Sequence, residues 1–473
     1  MGVQKELIHI ALEKVKSFDS EELRKAGLLP IDGRYFPAIY YPPIPMYPKS
    51  SQDEIFNNFT FEGEKSIVYI HIPFCPSKCV YCHWVTFKNN SEADMDYYLK
   101  SLETEMDLYK KRLGKGNISP SSVLIGGGTP TVLSSSQMER LLRSFRARFD
   151  FKKCLQFSCE AEPGSILGNE GMEKLKIMKD YGINRISLGV QSFDDEMLKK
   201  MGRSHTSEDA IKAIANIRRA GFESISIDLI YGFPGSTPER WINTLKTAHS
   251  LDIDAYQLFR LRVVPHGGKT GAITGQFDKA SGIFPELDQV HIMKELGVLI
   301  SSQNGFTEVN RRVFSRAPKH GPFNNYYYCR LYDMLGLGIS SWSNLRDRFF
   351  VNAGETLEKY YSHINNNELP VARGKIRTED DEKRWALVLP LKGDGVSKKE
   401  YKEITGLTIN EVFGEKIERL KFFGLLEEDE ETLLLTERGI FFADEVILQF
   451  YHPDYLPFPK SAYADGELNP YNF

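Results

Sequence analysis

The sequence predicts an α/β fold, an incomplete barrel of six strand–helix units, and two observations support this. Strand patterns rich in β-branched and aromatic residues alternate with helical patterns from residue 66 to about residue 303. Alternating units of this length imply a parallel sheet with right-handed crossovers. Most candidate functional residues directly follow a strand, where parallel sheets place their chemistry.

Six strands and six helices form the predicted barrel. Strands are expected at residues 67–72, 122–125, 155–160, 184–190, 223–230 and 255–263, with a further stretch at 306–314. Helices are expected near residues 93–113, 135–148, 171–182, 207–220, 238–250 and 286–303. A chain of 473 residues suits one such barrel with additions at both ends.

The additions differ from the barrel in composition. Residues 1–64 are predicted to hold short helices and a Tyr/Pro-rich arm, RYFPAIYYPPIPMYP at 34–48, in which proline excludes regular helix. This arm is either a linker strapped across the barrel, which we favour, or a cover for a flat substrate. We expect the barrel at 65–353, a C-terminal winged-helix-like α+β domain at 354–449 and an aromatic tail at 450–473.

Composition and charge exclude several classes of protein. The net charge is −4, from 60 basic and 64 acidic residues, so there is no general attraction to nucleic acid or anionic membrane. The acidic hairpin at 427–431 would also repel phosphate, and we interpret the last domain as a lid or substrate support. No apolar run reaches the length of a membrane span, and the N-terminus lacks a secretory signal. We therefore expect a cytoplasmic protein.

The stretch SIVYIHIPFCPSKCVYCHWVTF, at 66–87, places Cys75, Cys79 and Cys82 in a Cys-x3-Cys-x2-Cys spacing after the first strand. Three thiolates on one loop can hold three irons of a 4Fe–4S cube and leave the fourth iron open. Structural zinc normally takes four protein ligands, and only the adjacent His83 is nearby in sequence. A disulfide would leave an odd thiol. The remaining cysteines are expected to be buried apolar side chains, namely Cys154, Cys159 and Cys329.

This spacing, with Tyr81 just before the third cysteine, resembles the radical S-adenosylmethionine (radical SAM) enzymes. The wider phrase YIHIPFC resembles their branch that contains oxygen-independent coproporphyrinogen III dehydrogenase, a heme chaperone and several radical methyltransferases. The resemblance runs from about residue 69 to residue 344. It implies a radical SAM barrel, a 4Fe–4S cluster on the three cysteines, and one or two S-adenosylmethionine molecules. It also implies cleavage to a 5′-deoxyadenosyl radical, with electrons from a reductase such as flavodoxin or ferredoxin.

Several residues match the family's S-adenosylmethionine positions. The turn GGGTPT follows the second strand, where glycine allows close approach and exposed N–H groups can take an anion. A carboxylate at a strand end can pair with an ammonium or sulfonium group. The resemblance assigns cofactor binding to Tyr69, Tyr81, Gly127, Gly128, Thr129, Glu160, Gln191, Arg203 and Asp228, and by spacing alone to Arg262 and Trp342, whose residue types differ from those expected.

Some roles stay open at this point. Glu162 is an alternative to Glu160, and Asp228 needs a partner, either cofactor hydroxyls or Arg203. Arg260 and Arg262 alternate on one strand, so they are either a surface pair or a clamp for a substrate carboxylate. The histidines of interest are either packed core residues or proton carriers, namely His71 and His205.

The chain departs from the named branches of this family at three positions. Trp84 stands where the coproporphyrinogen dehydrogenases have a further cysteine, Asn324 where the heme chaperone has its heme-ligating histidine, and Cys329 where it has a tryptophan. We therefore expect an enzyme acting on an aromatic or tetrapyrrole-like small molecule, by C-methylation or ring opening with two S-adenosylmethionine molecules. The alternatives are an oxidative decarboxylase and a non-catalytic heme chaperone.

Overall fold

The computed structural model describes residues 2–61, 63, 65–88, 90–113, 118–262 and 284–472. The chain begins with helices α1 (Gly2–Ser17), α2 (Ser20–Lys25) and α3 (Gln52–Phe56). Helix α1 buries Leu7, Ala11 and Val15, a spacing of four residues that places all three on one face. Ser51 begins α3 with a capping box, in which Glu54 pairs with its backbone and side chain.

Six parallel strands form the core sheet in their order along the chain, which confirms the predicted incomplete barrel. The sheet is open, because its two edges carry further strands instead of meeting. The six are β1 (Ser66–Ile72), β2 (Ser122–Gly127), β3 (Gln156–Ala161), β4 (Arg185–Gln191), β5 (Ser224–Tyr231) and β6 (Ala255–Arg260).

The crossover helices cover the sheet as the sequence predicted. They are α4 (Glu92–Leu113), α5 (Ser135–Arg148), α6 (Gly168–Asp180), α7 (Asp195–Lys200), α8 (Ser207–Arg219), α9 (Pro238–Ser250) and α10 (Leu287–Gln303). The short helix α7 has no counterpart in the prediction. Within the described part of the chain, no helix is long and apolar enough to cross a membrane.

The sheet continues beyond both edges of the barrel to twelve strands. A hairpin of β7 (Thr307–Asn310) and β8 (Val313–Ser315) extends β6 antiparallel, where the sequence predicted a further strand. On the other side, β9 pairs parallel with β1, and three antiparallel strands follow. These are β9 (Asp333–Leu337), β10 (Trp342–Leu345), β11 (Arg348–Asn352) and β12 (Val371–Ile376).

The remaining elements are mostly helical. A small antiparallel sheet, in the order β13-β15-β14, packs with the helices around it and gives the winged-helix-like C-terminal domain. Its expected start at residue 354 stays a prediction, and β12, beyond that point, pairs with β11. The elements are α11 (Phe323–Cys329), α12 (Leu357–Asn365), α13 (Glu379–Lys392), β13 (Val396–Ser397), α14 (Lys398–Thr405), α15 (Ile409–Phe422), β14 (Leu426–Glu428), β15 (Thr432–Leu435), α16 (Glu437–Phe441) and α17 (Ala443–Leu448).

Candidate active site

The three motif cysteines lie on one loop, residues 73–88, which leaves the carboxyl end of β1 and returns to its own start. Backbone bonds close its base, from the Cys75 N–H to the Phe87 carbonyl (3.0 Å) and from the Phe87 N–H to the Pro73 carbonyl (2.7 Å). Its middle is held by the Val80 N–H, which donates to Met201 (3.2 Å). The loop therefore presents its thiols from a fixed backbone. We call it the cysteine loop.

Two thiols of the cysteine loop each face a hydrogen-bond donor. The Thr129 hydroxyl lies 3.5 Å from Cys75 Sγ, and Arg203 Nη1 lies 3.3 Å from Cys79 Sγ. Burial raises the pKa of Cys82 to about 11, although the Trp84 N–H lowers it. Donors aimed at sulfur stabilise thiolates and tune iron–sulfur clusters.

The thiols of two other cysteines act as hydrogen-bond donors. The thiols of Cys154 and Cys159 donate to backbone carbonyls, each at 3.4 Å. Burial raises the pKa of Cys154 to about 11 and raises that of Cys159 further. Both thus remain protonated in this structure, as Cys82 does, so their pKa values do not separate them from the motif thiols. Cys329 is buried as well.

The arrangement of the thiols fits a cluster better than a single zinc ion. Among the described residues, no three His, Cys, Asp or Glu side chains converge as ligands of one ion. A mononuclear zinc site needs such convergence. A 4Fe–4S cube does not, because each thiolate ligates a different iron.

The glycine turn after β2 lies between the cysteine loop and Glu160. A Cβ added at Gly128 would lie 2.6 Å from the Phe74 carbonyl and 3.0 Å from Cys75 Sγ. At Gly126 it would lie 2.8 Å from the Glu160 carboxylate. Only glycine permits these approaches.

The N–H groups of this turn are already used, which corrects our expectation of exposed donors. Gly127, in the left-handed region at φ +111°, donates to Glu160 Oε2 (3.1 Å). The Gly128 N–H donates to Ile72 (2.8 Å), and the Thr129 N–H donates to Phe74 (2.7 Å). In this structure, the turn therefore positions the loop and Glu160 and leaves no N–H of these three residues for an anion.

Two half-buried carboxylates, Glu160 and Asp228, lie on the core strands β3 and β5. Burial, reinforced by the other's charge, raises the pKa of Glu160 to about 7. Burial also raises the pKa of Asp228 to about 6, although the Arg185 guanidinium lowers it. Asp228 Oδ1 has no hydrogen-bond partner among the described residues. Arg185, only 2% exposed, is the cation shared by both carboxylates. The sequence left either cofactor hydroxyls or Arg203 as the partner, and Arg203 lowers the pKa of Asp228 less strongly than Arg185 does.

Arg203 belongs to a different cluster, with Glu162 and His205. Its Nη2 donates to the Gly189 carbonyl (2.7 Å) and lies 3.7 Å from Glu162 Oε1. His205 holds the same carboxylate oxygen at 3.0 Å through Nδ1. The pKa of Glu162 is lowered by His205 and Arg203 despite its burial. Glu162 is therefore already paired with His205 and Arg203. Among the described residues, Glu160 has no such cation bound to it, which favours Glu160 as the ligand-binding carboxylate.

Gln191 ends β4 in a rare backbone conformation. Its φ is +69°, in the left-handed region that costs a non-glycine residue on the order of 1–2 kcal/mol. Its side-chain Nε2 lies 3.1 Å from where a Cβ of Gly189 would stand, beside Arg203. Such strain persists where the surrounding structure requires it, often at functional sites.

Tyr69 and His71 support the cysteine loop from β1. His71 Nε2 lies 3.1 Å from the Val85 carbonyl, so it donates there, and Nδ1 accepts from the Tyr69 hydroxyl at 2.9 Å. Burial lowers the pKa of His71 to about 4, so the ring is neutral. This favours the packed-core interpretation of His71 over that of a proton carrier. Tyr81 is buried near Cys79 and Arg203.

The Tyr/Pro-rich arm covers the carboxyl end of the barrel, which we call the mouth and define by Glu160, Asp228, Arg262, Trp342 and the cysteine loop. The Tyr40 ring lies 4.4 Å from that of Trp342. Arg262 stacks on Phe36 at 5.0 Å, and Arg260 stacks on Tyr35 at 4.4 Å. Burial raises the pKa of Tyr40 to about 12, with contributions from Arg262 and Glu160 that place it in the mouth.

The arm is anchored from its other side by the C-terminal part of the chain. The Tyr451 hydroxyl donates to the Tyr40 carbonyl (2.6 Å), and Lys392 donates to the Ala38 carbonyl (2.8 Å). The Ala38 N–H donates to Asp444 (2.9 Å). The arm is thus a strap, as we favoured, and its aromatic side chains also line the mouth.

Comparison with known proteins agrees with this geometry. A model of the radical SAM superfamily matches residues 69–248, and a model of the HemN C-terminal domain matches residues 386–442. The heme chaperone HemW of Bacillus subtilis (strain 168) is 31% identical over 387 residues, covering 81% of this chain and 98% of that protein. The chain therefore belongs to the radical SAM family that includes HemW.

Two further comparisons are with coproporphyrinogen III oxidases, one by sequence and one by structure. The oxygen-independent coproporphyrinogen III oxidase of Escherichia coli (strain K12) is 29% identical over 325 residues, or 66% of this chain and 68% of that protein. The solved structure of coproporphyrinogen III oxidase (HemN) from Escherichia coli, a radical SAM enzyme, superposes with a TM-score of 0.73 at 25% identity. It covers 87% of this chain and 96% of that one. Membership implies a 4Fe–4S cluster and S-adenosylmethionine.

The opposite end of the barrel holds Asn324, at a position the sequence singled out. We define this floor by Ser122, Gln156, Ser224, His320 and Asn324. The Asn324 amide donates to the Val68 carbonyl (2.9 Å) and accepts from the Ser122 hydroxyl. The side chain is 6% exposed. Asn324 is therefore a paired structural residue here.

Sequence reasoning missed Arg185 and Tyr40. Arg185 was one arginine in the strand pattern RISLGV, where a charge on a buried strand is the signal that would have found it. Tyr40 was only one aromatic residue of many in the arm. The structure brings most proposed S-adenosylmethionine residues to the mouth, and their individual roles stay predictions.

Proposed function

We propose that this protein is a catalytic radical SAM enzyme that acts on a flat aromatic or tetrapyrrole-like molecule bound in the mouth. The observation that carries the proposal is a donor at each of two thiols of the cysteine loop, together with two half-buried carboxylates on the core strands. When bound, the cluster and S-adenosylmethionine supply reductive sulfonium cleavage and hydrogen abstraction from the substrate.

The residues of the mouth have distinct tasks in this proposal. Cys75, Cys79 and Cys82 hold the cluster, and Arg203 and Thr129 stabilise the charge on two of their sulfurs. Glu160 and Asp228 accept hydrogen bonds from cationic and hydroxyl groups of S-adenosylmethionine. The cofactor would thus supply the hydrogen-bond donor that Asp228 Oδ1 lacks among the described residues.

The substrate class rests on the lining of the mouth. Tyr40 and Trp342 offer aromatic faces for a flat ring. Arg262, stacked on Phe36, places a cation beside them that suits a carboxylate. The relatives named for coproporphyrinogen support the tetrapyrrole version of this class. They also favour oxidation of the substrate, whereas the Trp84 departure favours C-methylation with two S-adenosylmethionine molecules.

The test is anaerobic incubation with dithionite and methyl-deuterated S-adenosylmethionine, with coproporphyrinogen III as the first substrate. An enzyme releases 5′-deoxyadenosine. Deuterium in both 5′-deoxyadenosine and the product indicates methyl transfer, whereas carbon dioxide release indicates oxidative decarboxylation. Release of no 5′-deoxyadenosine from cluster-loaded protein would contradict the proposal.

A heme chaperone is the second candidate, favoured by the match over 98% of HemW. Asn324 opposes it, because both sides of its amide are paired within the floor. Heme titration followed by the Soret band tests it. Stoichiometric heme binding without 5′-deoxyadenosine release would favour the chaperone.

A further inference from the structure

A cavity of about 90 Å³ lies between the barrel and the C-terminal part of the chain. Its walls come from β6, the hairpin β7–β8 and α10 on one side and from α13, α16 and α17 on the other. None of the residues that define the mouth lines it. Since a cavity of roughly 10–15 Å³ holds one water molecule, this one has room for a ligand of several non-hydrogen atoms. We call it the side cavity and define it by Lys294, Arg311, Arg312, Lys392 and Asp444.

Two lysines of the side cavity have hydrogen-bond donors to spare. Lys294 Nζ donates to the Phe441 carbonyl and lies 4.6 Å from the centre of the Phe441 ring. Lys392 Nζ donates to the Ala38 carbonyl at 2.8 Å. In the described part of the chain, neither lysine forms an ion pair with a carboxylate. Because an ammonium group has three N–H donors, each lysine retains two of them for water or for a ligand.

The two lysines belong to one electrostatic cluster. Burial lowers the pKa of Lys392 to about 8 and also lowers the pKa of Lys294. For both lysines, the Arg312 guanidinium lowers the pKa further and the Asp444 carboxylate raises it. Both ammonium groups are therefore within electrostatic reach of the same Arg312–Asp444 pair. A bound anion would favour the charged forms of both lysines.

Two of the four carboxylates that line the side cavity are held by arginines. Asp444 pairs with Arg312 at 2.7 Å. Glu308 accepts from the Arg312 backbone N–H at 2.7 Å and lies 3.5 Å from Arg311. The Arg311 Nε atom has no hydrogen-bond partner among the described residues. These two carboxylates thus have partners without the lysines, and Arg311 adds a further donor without an acceptor.

The other two carboxylates add little negative charge inside the side cavity. The side chain of Glu437 is 73% exposed and pairs with Lys14 at 2.7 Å. Burial raises the pKa of Glu295 to about 7, so that carboxyl is partly protonated at neutral pH. A small-molecule site typically combines an apolar wall with a few polar groups. The apolar wall here includes Phe18, Val298, Phe314, Ile440 and Phe441.

We propose that the side cavity binds a small organic carboxylate whose apolar body packs against this wall. The carboxylate oxygens accept hydrogen bonds from the N–H groups that Lys294 and Lys392 retain and from Arg311 Nε. Charge-assisted hydrogen bonds of this kind are among the strong ones. The inference does not depend on the proposed function. Lys392 and Asp444 also bind Ala38 of the strap, so the ligand would contact two side chains that hold the strap over the mouth.

The test uses 4-fluorobenzoate as the probe, titrated into the anaerobically reconstituted full chain and followed by fluorine NMR. The uncharged isostere 4-fluorobenzamide tests the need for a carboxylate, and competition by inorganic phosphate tests whether any oxyanion suffices. The cavity variants are Lys294→Gln, Lys392→Gln and Val298→Trp, of which the last fills the opening at a 37% exposed position without changing the charge. Lys399→Gln is the matched control, with an 85% exposed side chain in the C-terminal domain.

We expect 4-fluorobenzoate to bind the wild type with a Kd below about 1 mM. The amide should bind at least about tenfold more weakly, and so should the probe to each cavity variant, a loss of about 1.4 kcal/mol. The control should bind like the wild type, and phosphate should not displace the probe at equal concentration. If Lys392→Gln does not fold because the strap loses a contact, Lys294→Gln and Val298→Trp decide the question.

Three results would overturn the site. They are no binding of the probe at about 10 mM, equal affinity for the amide, and wild-type affinity in all cavity variants, which would place the probe elsewhere, such as at the mouth. Displacement by an equal concentration of phosphate would overturn the ligand class, because phosphate has no apolar body to pack against the wall.

Discussion

The mouth and the floor of the barrel both pair most of their polar side chains internally, but the five residues that define the floor leave no buried side-chain N or O atom without a partner among the described residues. At the floor, Asn324 binds Ser122 and Val68, and Gln156 donates to Gly321 at 2.8 Å and accepts from the Phe323 N–H at 2.9 Å. At the mouth, buried atoms of Asp228, Arg203 and His83 have no partner among the described residues.

We infer that this difference separates groups that stabilise the fold from groups that bind a ligand. A buried polar atom without a partner costs on the order of 1–3 kcal/mol, so such atoms rarely persist without a reason. Two of those at the mouth belong to Asp228 and Arg203, for which we propose S-adenosylmethionine binding. Variants at the two ends should therefore change different properties.

The largest effect is expected at the mouth. Replacing Cys75, Cys79 and Cys82 together by alanine should abolish iron binding, because no thiolate remains on the loop. Anaerobic reconstitution with iron and sulfide analysis measures this, and the wild type should bind about four of each. Cys154→Ala is the control, since that thiol donates to a carbonyl. Full iron content in the triple variant would contradict the assignment.

The next effect is expected at the floor. Asn324→Ala leaves Ser122 and the Val68 carbonyl without their partner, which should lower the free energy of unfolding by about 2–4 kcal/mol. Urea denaturation measures the loss. S-adenosylmethionine affinity of the reconstituted variant, measured by calorimetry, should stay unchanged. Weakened cofactor binding at normal stability would remove the distinction between the two ends.

Asp228→Asn, at the mouth, should weaken cofactor binding without lowering stability. The substitution removes a buried charge that burial already disfavours, so the free energy of unfolding should not fall. S-adenosylmethionine binding should weaken by about 1–3 kcal/mol, the range for a hydrogen bond to a charged group. Ser362→Ala, an exposed change on α12, is a suitable control. Normal cofactor affinity would exclude Asp228 from the site.

The smallest effect concerns pH. The folded pKa of Glu160 is about 7, above its ordinary value of 4.5. Its contribution to stability is therefore complete below pH 4.5 and is lost as pH rises through 7. Between pH 5 and 7 the wild type should lose ~1–2 kcal/mol more than Glu160→Gln. Urea denaturation across this range measures the difference, and parallel curves would show that Glu160 titrates normally.

The sequence alone determined the order of the six barrel strands, the cysteine loop and the strand-end positions of Gly127 and Glu160. These features depend on local periodicity and on short spacings along the chain, which one sequence displays directly. The same locality explains why the hairpin β7–β8 was predicted only as a further strand, because pairing direction depends on the turn between the two segments.

Only the tertiary structure decided which groups became partners. Arg185 lowers the pKa of Asp228 more strongly than Arg203 does, and the strap brings Tyr40 to Trp342, about three hundred residues away. Asn324 became a floor residue through contacts with β1 and β2. The physical reason is that a buried charge or amide accepts whichever partner packing brings within about 3 Å. That choice depends on how distant segments meet, which local patterns do not encode.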